Sequence, residues 1–226
     1  MTPLSRRQIA WRAAQDIPNG AYVNLGIGLP TVVSDFIPAD REIVFHSENG
    51  ILGLGPAPEP GKEDPDLINA GRGLATVVPG ASFVHHTDAF VMIRGGHLDL
   101  TLLGAFQVSA EGDLANWATD DPTFLHGLGG AMDLAVGAKE VRVLLEHTTK
   151  DGRPRIKRHC TYPLTAPRCV KRIYTNLAVI DVTDTGLVAR EIVEGLDASD
   201  LQDLTEAPLT IPAERRTLKA PPLRER

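Results

Sequence analysis

The feature of this chain richest in chemistry is a carboxylate set among polar neighbours at the end of an apolar run. Glu42-Ile43-Val44-Phe45 has β character, and it passes through His46-Ser47 into Glu48, Asn49 and Gly50. A stretch of glycine and proline follows, Gly53-Leu54-Gly55-Pro56. Strand ends that turn sharply are where open α/β sheets hold reactive groups, clear of the hydrogen-bonded ladder and facing a crevice. Gly50 has no Cβ, so backbone N–H groups can come close to the Glu48 carboxylate. Taken alone, such a glutamate is either a structural, solvent-facing residue or a catalytic one.

Two glycine clusters could serve it. Gly26-x-Gly28 follows a short strand, Ala21 to Leu25, and opens a helical stretch through Ile37. The third glycine of a dinucleotide fingerprint is absent, since position 31 is Thr, and Gly61-Lys62 is followed by Glu63 rather than Ser or Thr. Gly26 and Gly28 therefore either bind an anion or let strand and helix pack closely. His126-Gly127-Leu128-Gly129-Gly130 precedes a helix from Ala131 to Ala138. Its N–H groups either converge on a developing oxyanion or form a plain tight turn.

Other chemistries find little support. No second carboxylate stands at an informative spacing. The seven histidines show no H-x-x-x-H or H-x-H pattern, and Cys160 and Cys169 lack a partner pair for zinc, so no metal is expected. A G-x-S-x-G nucleophile elbow is absent.

The elements around these residues read as a single α/β domain with an open, mainly parallel sheet and flanking helices. Ser5 caps a helix carrying Ile9, Ala10, Ala13, Ala14 and Ile17 at helical spacing, ended by Pro18-Asn19-Gly20. Strand, glycine turn, helix and the strand to Glu48 make a parallel crossover. Residues 55–66 hold four prolines and no periodicity, and read as a loop beside the site. Further strands are expected at 98–104 and 141–147, and hairpins at 106–117, 148–158 and 177–193. The domain runs over 1–209; residues 210–226, with three prolines and a net charge of +3, read as a basic tail without fixed structure.

The net charge of −6 argues against a nucleic-acid surface and gives no pull toward anionic membranes. Two cysteines fit a reducing compartment, and the first residues lack the apolar core of a signal peptide. The expectation is a cytoplasmic protein with no membrane contact.

The stretch Phe45-His46-Ser47-Glu48-Asn49-Gly50-Ile51-Leu52-Gly53 resembles the active-site signature of the second subunit of the two-subunit CoA-transferases. Tyr22 to Pro30, Ile93 to Asp99, Leu103 to Ser109, Gly112 to Trp117 and Gly129 to Ala135 agree with that family, and the similarity covers about residues 5–209. Cys160 to Thr165 and Cys169 to Thr175 are most similar to the 3-oxoadipate branch, with the acetoacetate branch next.

The resemblance implies that Glu48 is a nucleophile that carries CoA from succinyl-CoA to a 3-oxo acid as a covalent glutamyl-CoA thioester. It further implies oxyanion or substrate contacts from Gly127, Gly129 and Gly130, with Asn49 and Gln107 as further candidates. Ser47, Gly26, Gly28 and Gly50 support the loops, and polar Ser47 and Asn49 keep Glu48 ionised. No cofactor is implied beyond the CoA thioester as substrate, and the partner is an α subunit in an α2β2 assembly. A reading of another class is a sugar-phosphate isomerase or ligand-sensing domain on a related scaffold, which would need a phosphate cradle instead of Ser-Glu-Asn-Gly.

Overall fold

The computed structural model describes residues 1–121, 123 and 127–223; His126 and the last three residues, to which some of the expectations above refer, lie outside these. Ser5 opens helix α1 (Arg6–Ala14) with a reciprocal cap. Gln8 N–H donates to Ser5 Oγ at 3.4 Å and Ser5 N–H donates to Gln8 Oε1 at 2.8 Å. Strand β1 (Tyr22–Leu25) runs through Gly28 into a 3-10 helix (Leu29–Phe36). Then come β2 (Val44–Ser47), β3 (Ile51–Leu54), β4 (Val77–Phe83), α2 (His86–Arg94) and β5 (Leu100–Gly104). The chain continues with β6 (Gln107–Ser109), β7 (Leu114–Ala115), α3 (Ala131–Gly137), β8 (Val141–Leu144), β9 (Ile156–Lys157) and β10 (Val170–Tyr174). It ends with β11 (Ala178–Thr183), β12 (Gly186–Val193), α4 (Ala198–Asp203), β13 (Leu209–Thr210) and β14 (Arg216–Leu218).

Among the described residues one sheet has the order β13-β12-β11-β10-β8-β5-β1-β2-β3-β4, with β14 also on β12. Its middle, β10-β8-β5-β1-β2, is parallel; β3 and β4 on one side and β11 and β12 on the other are antiparallel. The expected mainly parallel α/β sheet is therefore present. Leu100, Thr101, Leu102 and Leu103 of β5 are all buried, as a strand covered on both faces must be. One core layer joins the sheet to α1 and the 3-10 helix through Ile9, Ala13, Val33 and Leu144. The opposite layer joins it to α2, α3 and α4 through Ile93, Leu134 and Leu201. A small sheet, β7-β6-β9, sits on that second side.

Residues 51–54, to which the sequence reading gave no element, form β3, antiparallel to both β2 and β4. One expectation is corrected: the chain after 209 is not without fixed structure, since β13 and β14 pair in parallel with β12 and Leu218 is 1% exposed. Arg216 Nη2 sits 2.6 Å from the buried carboxylate of Glu191. Basic residues and prolines in that segment suggested fraying, yet one apolar anchor and one ion pair are enough to add a short edge strand.

Candidate active site

Strand β1 leads to β2 on one side, while β5, the next strand of the parallel core, pairs on its other side. Such a reversal of strand order leaves a crevice beyond the carboxyl ends of the strands. A cleft of about 1100 Å³ opens there, and Gly26, Gly28, Glu48, Gly104, Gly127, Gly129 and Gly130 are among its lining residues.

Glu48 occupies the turn of the β2–β3 hairpin, closed by Gly50 N–H donating to Ser47 O at 3.0 Å. Gly50 has φ +107°, and a Cβ there would collide with Val84 O. Only glycine lets the turn lie against the segment that enters α2, where Val84 N–H donates to Gly50 O at 2.9 Å. From the first turn of α2, His86 Nδ1 donates to the main-chain oxygen of Glu48 at 2.9 Å, and its ring meets Phe90 edge-on at 4.8 Å. The turn that carries the carboxylate is thus fixed by its backbone, leaving the side chain to face the cleft.

Below it, His46 is 2% exposed and bridges three elements. Its Nε2 lies 3.1 Å from Ala89 O, which can only accept, so the proton is on Nε2 and Nδ1 accepts from Asn24 Nδ2 at 3.1 Å. Burial pushes this imidazole below its ordinary pKa, which keeps it neutral. Sequence reading gave no role to Asn24 or His46, because the crossover makes their strands neighbours without showing the register that sets Asn24 opposite His46 or the packing that brings Ala89 to the ring.

Glycines reach the carboxylate from the other side. Gly129 has φ +51° and Gly130 is the cap of α3. A Cβ on Gly130 would run into Glu48 Oε2 and lie 3.1 Å from both Glu48 Cδ and Phe90 Cζ. Gly127 lines the same cleft. For the first glycine pair, the close-packing reading fits Gly26. Its N–H donates to Leu102 O at 2.8 Å, and a Cβ would lie 3.0 Å from Leu103 Cδ2. Gly28, at φ +89° with open space around it, serves the turn into the 3-10 helix.

Ser47 Oγ accepts from Ala70 N–H at 3.2 Å, a contact that holds the 68–70 loop as a loop-supporting residue would. Asn49 and Gln107 make their contacts away from Glu48. Asn49 Nδ2 donates to Ile68 O at 2.8 Å, on the same loop. Gln107 is 6% exposed, and its Oε1 accepts from Thr161 N–H at 2.7 Å and Tyr162 N–H at 3.2 Å. It braces that loop on the small sheet and is not among the residues lining the cleft.

Burial accordingly pushes the Glu48 carboxyl above the usual glutamate range, and Asp133 adds to this while His86 opposes it. A carboxyl raised in this way is more basic, and a more basic carboxylate is a better nucleophile once ionised. Both cysteines are free thiols, pushed up by burial to about 12 for Cys160 and about 11 for Cys169.

The model of the family described as "Coenzyme A transferase" matches residues 6–199. The second subunit of the 3-oxoadipate CoA-transferase of Acinetobacter baylyi is 57% identical over 206 residues, covering 91% of this chain and 95% of that protein. The second subunit of the succinyl-CoA:3-ketoacid coenzyme A transferase of Helicobacter pylori is 48% identical over 202 residues, covering 89% and 97%. Among solved structures, the apoenzyme of an acyl-CoA transferase from Escherichia coli O157:H7 superposes with a TM-score of 0.72 at 20% identity. It covers 95% of this chain, and this chain spans 43% of that one. Fold, strand-end glutamate and sequence identity agree, and the chain belongs to the coenzyme A transferase family.

Proposed function

We propose that this chain is the β subunit of a CoA-transferase that passes CoA from succinyl-CoA to 3-oxoadipate through a glutamyl-CoA thioester on Glu48. One observation carries the reading: a half-buried carboxylate at a strand end, in a cleft of about 1100 Å³, pressed against a glycine with no room for a Cβ. The greater identity to the 3-oxoadipate relative, 57% against 48%, favours that acceptor over acetoacetate.

In the first half-reaction the ionised Glu48 attacks the thioester carbonyl. The C–S bond breaks, CoA leaves as thiolate, and an acyl-glutamyl anhydride forms. The thiolate then attacks the glutamyl carbonyl and expels the free acid, leaving glutamyl-CoA. The second half reverses these steps with the incoming 3-oxo acid and returns Glu48 to its carboxylate. Each step passes through a tetrahedral oxyanion, where one preorganised donor is worth ~3 kcal/mol. We assign this to backbone N–H groups of the 127–130 loop, whose Gly130 lies against the carboxylate. The reading assigns no cofactor, since the CoA thioester is itself a substrate.

An anhydride in an open cleft would hydrolyse, so a second wall must exclude water. Both relatives are, by name, one subunit of a larger enzyme. We assign the missing wall to an α subunit, in an α2β2 assembly in the cytoplasm.

The test uses the chain coexpressed with its α partner. After incubation with acyl-CoA, borohydride or hydroxylamine trapping should modify Glu48 and no other residue. Glu48→Gln should lower kcat by several orders of magnitude. Near-wild-type turnover by Glu48→Ala, or an adduct on another side chain, would sink the assignment.

A further inference from the structure

The cleft holding Glu48 carries a second set of charges, unused by the chemistry above. Beyond the end of β8 the chain runs through Glu146 and a tight turn, where Gly152 N–H donates to Thr149 O, and on to Arg155. Arg155, Lys150 and Arg6 line this part of the cleft together with Glu146. None of the three cations forms an ion pair or a side-chain hydrogen bond with any described residue.

For Arg155 this is unusual within the molecule. Arg12, Arg142 and Arg172 are similarly withdrawn from solvent, and each holds carboxylates. Arg12 has Asp16 at 2.9 Å and Glu191 at 2.7 Å, Arg142 has Glu140 at 2.8 Å, and Arg172 has Asp181 at 2.6 Å. Arg155 is half-buried without such a partner. Burial pushes its guanidinium below the ordinary value, with Glu146 only partly opposing, whereas the other three are raised. A desolvated, unpaired guanidinium is costly by itself, and a bound anion offsets that cost.

The position of the anion follows from the sheet. Glu48 follows β2 and Glu146 follows β8, with β1 and β5 between them. Three inter-strand steps put these strand ends about 14 Å apart. Glu48 and Arg155 line one cleft across that span, a distance that two long side chains and a short acyl chain can bridge. The phosphates of CoA are separated from the thioester by the whole pantetheine arm, which outruns this gap.

We propose that Arg155, with Arg6 and Lys150 at the rim, receives the far carboxylate of a dicarboxylic acyl group whose thioester end meets Glu48. The inference rests on the CoA-transfer reading given above and makes Arg155 a specificity-determining residue. It binds succinyl and 3-oxoadipyl groups, which carry a second carboxylate, and contributes little to an acetoacetyl group, which carries none.

The experiment is single-turnover formation of the Glu48 adduct by the enzyme coexpressed with its α partner, using succinyl-CoA and acetoacetyl-CoA in parallel. Arg155→Gln should slow the reaction of succinyl-CoA about a hundredfold, the worth of a charge-assisted pair. The reaction of acetoacetyl-CoA should stay within about threefold, which also certifies that the variant is folded. Arg155→Lys should recover part of the loss with succinyl-CoA. An equal fall with both thioesters would assign Arg155 to the CoA phosphates and overturn the proposal, as would no change with either. Failure of the unaltered enzyme to form the adduct from either thioester would overturn the Glu48 reading itself, and this inference with it. A normal adduct with no selectivity in Arg155→Gln overturns this inference alone.

Discussion

Gly130 and Glu48 fill one small space from opposite sides, and that contact sets where the carboxylate can stand. Gly130 has φ −84°, so its backbone would accept alanine without strain, and the added methyl would act only on what it touches. It would touch Glu48 Oε2 and Phe90 Cζ. Gly130→Ala should therefore push the carboxylate out of line and lower kcat about a hundredfold, the cost of a misplacement near 1 Å, with KM for acyl-CoA little changed. Steady-state kinetics check this, and an unchanged kcat would show that the contact has no catalytic weight. The same residue marks how far the sequence could be read. Glycines before a helix suggested a close approach to substrate, but which glycine meets Glu48 depends on how α2 and α3 pack. The direction of Ser47 and Asn49 was likewise hidden, because it is set by Ala70 and Ile68 across a loop.

At the scale of elements, the strand-end segment after β8 shows how a buried polar group couples the fold to pH. His147 is 0% exposed and lies between Thr175 and Thr205, at 3.0 and 2.8 Å. Burial lowers its pKa from 6.5 to about 4. The unfolded chain thus binds a proton over that window and the folded chain does not, so stability is full above about 6.5 and is lost as pH falls toward 4. The loss from this residue approaches about 3 kcal/mol. Thermal melts at pH 7 and 4.5 should show a smaller acid-induced drop in His147→Gln than in the unaltered protein. Equal drops would remove His147 from the acid response. Helix α1, the crossover to β2 and the hairpins of 107–115 and 178–193 were legible because their signals are local: a cap, a 3.6 period, a turn between alternating runs. Strand β3 was not. Ile51-Leu52-Gly53-Leu54 reads as a glycine-rich turn until Phe83 and Ser82 are known to lie beside it.

At the scale of the whole molecule, an ion-pair cluster fastens the first helix to the last strands. Arg12 donates to both oxygens of Glu191, at 2.8 and 2.7 Å, and Arg216 on β14 reaches the same carboxylate. Removing residues 209–226 would take away β13, β14 and the apolar anchor Leu218. It should lower unfolding stability by about 3 kcal/mol and the melting temperature by several degrees. An unchanged melt would return this segment to the frayed tail its composition suggested. Parallel order in the middle of the sheet could be inferred from strand–helix alternation. The edge could not, because a three-residue strand carries no periodicity of its own.

The same fastening gathers residues 1–8 and 218–221 around β12. Met1 lies against Gly195, just past β12, while Leu218 pairs with Val193 of that strand and Gln8 Nε2 donates to Pro221 O at 3.0 Å. Strand β12 is thus braced by residues more than two hundred positions apart in sequence, and loosening either segment would loosen the hold of the other on the same strand.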